Sequence, residues 1–91
     1  KLSFTAAYIR EFESSFPETQ KIVLSNNGCH SVELLKSKEP GVYFTYSIWD
    51  SENDLNNYRK SGTFNQIWSK FKANFNSKPE AWTTTNISPK A

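Results

Sequence analysis

Along residues 42–49, Val42, Phe44, Tyr46 and Ile48 alternate with Tyr43, Thr45, Ser47 and Trp49. A period of two sends the two sets to opposite faces of an extended strand. Cys29 to Lys36 reads the same way, with His30, Val32 and Leu34 on one face and Ser31, Glu33 and Leu35 on the other. The polar turn KSKEPG, residues 36–41, joins the two as an antiparallel hairpin.

Elsewhere the period lengthens. Ile9, Phe12 and Phe16 share one helical face, and Ile22, Val23 and Leu24 continue an apolar stripe past Pro17. Thr5 is placed to cap that helix, and Asn26-Asn27-Gly28 to end it. Ser51-Glu52-Asn53-Asp54 has the form of a capping box, and Ser61-Gly62 stops its helix. Thr63 with Gln66 starts another, whose stripe is Phe64, Ile67, Trp68, Phe71 and Phe75. Leu2 and Phe4 end a short first strand, and AWTTTNI, residues 81–87, reads as a last one. The order is strand, helix, strand, strand, helix, strand. That predicts an α+β chain with the ferredoxin-like split βαβ arrangement: a four-stranded antiparallel sheet with its helices on one face. Residues 1–88 form a single domain in this reading, and 89–91 a tail.

Composition adds constraints. Three Trp, four Tyr and seven Phe supply bulky packing in 91 residues. A chain this short is marginally stable alone, and helices on one side leave the second sheet face bare, so a homodimer through that face is expected. The net charge of +2 is spread along the chain without a basic block, which gives nucleic-acid binding little support. No stretch approaches the roughly 18 apolar residues of a membrane span, so no membrane partner is expected. No secretory signal is visible in a chain that opens on Lys1. The single cysteine, Cys29, cannot form an internal disulfide and fits a reducing cytoplasm.

Candidate chemistry is sparse. One His, one Cys and no H-x-x-x-H make a metal site improbable, and Gly28, Gly41 and Gly62 are isolated, so no nucleotide loop is present and no cofactor is expected. Cys29 and His30 are neighbours on a strand and point apart, which argues against a thiolate pair. His30 is either a base or a structural hydrogen bonder. Asp50, Glu52 and Asp54 cluster at a helix start, where capping explains them. Trp68 and Phe71 are either core or the lining of a cavity. The row Tyr43-Thr45-Ser47-Trp49 mixes aromatic bodies with hydroxyls. It suits a half-buried wall, either a subunit contact or a pocket for a small apolar or aromatic ligand.

The stretch 43–82, with its aromatic-Thr-x-x-x-Trp strand, D/E-S-E cap and L-x-x-Y-x-x-S-x-x-F helix, resembles the antibiotic biosynthesis monooxygenase family. Upstream, GCHSVELL at 28–35 is similar to that family's Gly-Cys-x-x-x-Glu-Leu-Leu strand. The resemblance implies a dimeric α/β barrel, with a cavity between sheet and helices in each subunit. It implies oxygenation of an anthrone or quinol without metal or flavin, or haem degradation by an Asn-Trp-His set. Trp49 matches the family tryptophan. The haem-ligating histidine would fall nineteen residues later, where Trp68 stands, so haem degradation is not expected. The oxygenating branch carries an Asn at the position of Thr45 and a Tyr at that of Leu55. Trp49 is therefore the expected catalytic residue, with Thr45, Ser47, Trp68, Phe71 and His30 as substrate contacts. The alternative is a non-catalytic dimer of the same fold that binds a small molecule.

Overall fold

The computed structural model describes residues 1–88; the tail assigned to 89–91 lies outside the described residues. Leu2–Ser3 form β1, and a 3-10 turn at Ala6–Tyr8 leads into α1, Ile9–Leu24. Cys29–Lys36 (β2) and Val42–Trp49 (β3) make the hairpin at the expected bounds, followed by α2, Glu52–Arg59, and α3, Gly62–Lys72. The result is an α+β chain whose antiparallel sheet has the order β1-β3-β2.

Tyr43 fixes which face of the sheet is which. It is fully buried, with its ring 4.9 Å from that of Phe12 and 6.3 Å from that of Phe4. Phe12 and Phe16 on α1, Phe71 on α3, and Phe4 and Tyr8 close the same aromatic core. Alternation from Tyr43 then puts Thr45, Ser47 and Trp49 on the helix side. Leu35, Phe44, Tyr46 and Ile48 lie on the other side, each at least a third exposed, with no helix over them. Tyr43 also anchors α1 from its far end. Its hydroxyl donates to a Glu13 carboxylate oxygen, which also takes Lys36 Nζ at 3.0 Å.

The hairpin closes at Gly41, whose φ of +81° belongs to the left-handed region. A Cβ there would stand 2.8 Å from the Phe4 carbonyl oxygen, and the Gly41 carbonyl takes the Phe4 N–H at 2.9 Å. Glycine lets the turn lie against the end of β1.

Several expectations are corrected. The strand expected at 81–87 does not form, and the sheet has three strands, not four. Residues 74–80 instead lie along the outer edge of β1. Phe4 bridges Phe75, the Asn76 N–H bonds the Ser3 carbonyl at 3.0 Å, and the Glu80 N–H bonds that of Lys1 at 3.1 Å. Pro79 lacks an N–H to offer a ladder. Beyond Glu80 the chain has no strand beside it, leaving Trp82 and Ile87 exposed. A second correction concerns caps. Ser61, not Thr63, caps α3, its Oγ accepting the Phe64 N–H at 3.1 Å; Thr63 lies inside the helix. Thr5 makes no side-chain cap bond. The Ser51 cap is as expected, accepting the Asp54 N–H at 3.1 Å. Third, β2 has a bulge between Cys29 and Ser31, so that Cys29 pairs with Trp49 and Ser31 with Ile48. His30 is the surplus residue and leaves the Val32–Leu34 row.

The Tyr43 and Lys36 bonds hold the Glu13 carboxyl below its ordinary range, whereas burial, then Glu13, push the Tyr43 phenol up to about 12. A lowered carboxyl pKa contributes stability above the unfolded value, about 4.3, and loses it as the pH falls through the folded value. A raised phenol contributes below about 10 and loses it as the pH rises toward 12. Urea midpoints measured against pH should therefore fall at both ends. In Glu13→Gln the acid limb should flatten, while a full wild-type acid slope would show that Glu13 is not its source.

Candidate functional site

The row Thr45-Ser47-Trp49 forms one wall of the site. Trp49 Nε1 donates to Ser47 Oγ at 3.0 Å, which fixes the indole along its own strand. Thr45 and Ser47 are exposed although they lie on the helix side. β1 pairs with Val42 and Tyr43, and among the described residues no strand flanks the rest of β3 on that edge.

From Trp49 an unbroken run of rings crosses α2 and α3. Tyr58 stacks on Trp49 at 5.4 Å and 25°, and Phe64 meets Tyr58 edge-on at 5.2 Å. Trp68 stacks on Phe64 at 5.7 Å and 13°, and Phe75 meets Trp68 edge-on at 5.5 Å. Phe75 stacks on Phe4, so the run ends in the core. Trp49, Tyr58, Phe64, Trp68 and Phe75 are all half-buried. Offset stacks and edge contacts are the favoured geometries of aromatic pairs, each worth about 0.5–1.5 kcal/mol beyond burial. The local sequence places them simply. The Ser51 cap fixes where α2 starts and so which face carries Tyr58, and the Ser61 cap does the same for Phe64 and Trp68.

The expected site residues therefore separate. Trp49, Ser47 and Thr45 stand together, and Trp68 joins them through two intervening rings rather than by contact. Phe71 belongs to the core, 5.4 Å from Phe12 and 5.8 Å from Phe4. It also lines a cleft of about 250 Å³ between α1 and α3, shared with Ile22 and Ile67 and edged by Glu18 and Lys70. Neither Trp49, Ser47, Thr45, Trp68 nor His30 borders that cleft. His30 turns outward from the bulge, its Nε2 paired with Asp50 Oδ1, both side chains well exposed. Tyr58, Phe64 and Phe75 are members of the run that are not among the expected site residues, although Phe64 and Phe75 belong to the predicted stripe of α3. The spacing of Tyr58 from Trp49 across a capped helix start was the available signal.

Electrostatically the wall is neutral. Burial pushes the Cys29 thiol up, and burial, then Cys29, push the Tyr58 phenol up. Both stay protonated at neutral pH, so Cys29 is not a thiolate nucleophile. Cys29 Sγ makes only a long contact, 3.8 Å, with the Ser31 carbonyl. Among the described residues no three His, Cys, Asp or Glu side chains gather as a metal site. Among the same described residues no helix is long and apolar enough to cross a membrane.

Removing the Tyr58 ring should free the Trp49 indole to water. In Tyr58→Leu, with Trp68 and Trp82 replaced by Phe, emission from Trp49 should shift to the red at a cost of about 1 kcal/mol in stability. Unchanged emission would show that Tyr58 does not shield Trp49.

The family model for antibiotic biosynthesis monooxygenase matches residues 1–69, which takes in β1 to most of α3. Among solved structures, the chain is similar to a conserved protein from Methanosarcina mazei Go1. That match has a TM-score of 0.77 and 16% identity, and covers 87% of this chain and 79% of that one. At that identity the likeness is one of fold. No curated protein matches the chain. With the match spanning well over half of its residues, Trp49 and the aromatic helices among them, the chain belongs to the antibiotic biosynthesis monooxygenase family.

Proposed function

We propose that the chain is a cofactor-independent monooxygenase of a small, electron-rich aromatic substrate of the quinol or anthrone kind. The observation that carries this reading is the Trp49 row. Within a monooxygenase family, it turns an indole and two uncovered hydroxyls toward the helices, beside an aromatic run. A planar substrate would lie against Trp49, with Thr45 and Ser47 offering hydrogen bonds to its oxygens and Trp68 bounding the far end. His30 turns outward to Asp50 beyond the end of this row, so in this reading it would meet only a substrate edge that projects past the hairpin's end. For an anthrone the chemistry balances without a cofactor: a methylene becomes a carbonyl, one atom of O₂ enters the product and the other leaves as water. The substrate supplies every electron.

In the same reading two copies pack sheet to sheet as a ferredoxin-like, dimeric α/β barrel, within a reducing cytoplasm that keeps Cys29 free. Leu35, Phe44, Tyr46 and Ile48 support that packing. Each is between about a third and a half exposed, and covering the rest of all four is worth about 3–6 kcal/mol per chain. Against a total stability of about 5–15 kcal/mol this is a large share.

A second reading, binding without turnover, is favoured by one observation. Cys29, paired with Trp49 across the hairpin, and Tyr58, stacked on it, both hold their protons, and His30 turns away to Asp50. Oxygen uptake separates the two. With a panel of hydroquinones and anthrones in chelator-treated buffer, the wild-type protein should consume oxygen at least about tenfold faster than Trp49→Phe, a loss of about 1.4 kcal/mol in transition-state stabilisation. Saturable binding of the same compounds with no uptake above that control would overturn the oxygenase and leave the binding protein.

A further inference from the structure

At the open end of the hairpin, the loop after α1 faces the first turns of α2 across a hollow of about 150 Å³, lined by Asn26, Asn27, Asp54, Asn57 and Tyr58. Trp49, Thr45 and Ser47 do not border it, so it is distinct from the wall described above. The hollow is made of hydrogen-bonding groups, and most of them are unspent. Asn26 uses its amide N–H groups on the Ile22 and Val23 carbonyls, both at 3.1 Å, which leaves its Oδ1 free to accept. Asp54 takes the Ser51 hydroxyl on Oδ2 at 3.0 Å, which leaves Oδ1. Among the described residues, the Asn27 and Asn57 carboxamides and the Tyr58 hydroxyl make no side-chain hydrogen bond. Donors and acceptors therefore both occur among the residues that line one small space.

Gly28 makes the arrangement possible. Its φ of +83° lies in the left-handed region that favours glycine, and a Cβ there would meet the Asp54 side chain, so glycine lets the loop lie against that carboxylate.

We propose that this hollow binds a small, uncharged polyhydroxylated ligand of monosaccharide or cyclitol size. A hydroxyl both donates and accepts, so vicinal hydroxyls match a ring of amide, carboxylate and phenol groups better than a pure donor or a pure acceptor does. The volume equals about five waters, on the order of ten non-hydrogen atoms at half a water's volume each. Asp54 is the one charged group in the lining, which disfavours anions, and a single carboxylate among amides is a poor cage for a divalent cation. Tyr58 belongs both to this hollow and to the stack on Trp49, so an occupant would press on the ring that backs the proposed oxygenase wall.

The test is a titration of ¹⁵N-labelled protein with D-glucose, D-galactose and myo-inositol, with D-glucuronate, calcium chloride and ammonium chloride as counter-probes. At least one neutral polyol should give saturable shifts of the Asn26, Asn27 and Asn57 carboxamides, with a dissociation constant on the order of 1 mM for so small a ligand. Affinity should fall by about tenfold in Asn57→Ala and in Asn57→Ser, the loss of one good hydrogen bond. Asn57 is exposed, so both variants should keep the rest of the spectrum unchanged. The proposal is overturned if no polyol saturates these signals, if glucuronate binds as well as glucose, if only calcium or ammonium saturates them, or if both variants keep wild-type affinity. None of these outcomes depends on oxygen consumption, so this site and the oxygenase reading stand or fall separately.

Discussion

The burial of Tyr43 organises this molecule. A strand with large side chains on both faces has two ways to meet a pair of helices, and a slip of one residue exchanges them. Here the choice is fixed by one ring. Tyr43 packs on Phe12 and Phe4 with no exposed surface, and its hydroxyl ends on Glu13 of α1. Moving Phe44 into that place would strip the Glu13 carboxylate of a partner and put a fully apolar ring where a polar tip is needed. Once Tyr43 is inward, Thr45, Ser47 and Trp49 follow it by alternation, and Phe44, Tyr46 and Ile48 are left outside.

From that one orientation come both properties a site requires. The inward row gains aromatic company. Ser51 and Ser61 start α2 and α3 at positions that hang Tyr58, Phe64 and Trp68 in succession beyond Trp49. The rings tie the wall to the core through Phe75 and Phe4, so the indole is held by a continuous stack as well as by its bond to Ser47. The outward row is the complementary consequence. It is an apolar face that none of the described residues covers in the single chain, in a family whose members are commonly dimeric.

Much of this was legible because alternation and turn chemistry are local. The bounds of β2 and β3 follow from period two and from the Pro40-Gly41 turn, and the Ser51 cap from its spacing to Asp54. What failed depends on neighbours the local pattern does not contain. Residues 81–87 have a strand's composition, but a strand needs a ladder partner, and β1 has already been matched by 74–80. His30 obeys alternation on paper, yet one bulge residue moves it from the row of Val32 to the pair with Asp50. Ser61-Gly62 has the local form of a stop signal, yet the Ser61 hydroxyl both ends one helix and begins the next. Phe71 was open between core and cavity because both need an apolar residue at helical spacing. Three-dimensional packing decides such a case, and here it puts the ring in the core at the edge of a cleft.

The most direct measurement of the central claim is the mass of the folded protein in solution, by sedimentation equilibrium at micromolar concentration. If the inward turn of Tyr43 leaves a face that only a second copy covers, the species in solution has twice the mass of one chain, and Ile48→Lys returns it to one. A wild-type chain that is fully folded and single at that concentration would contradict the account.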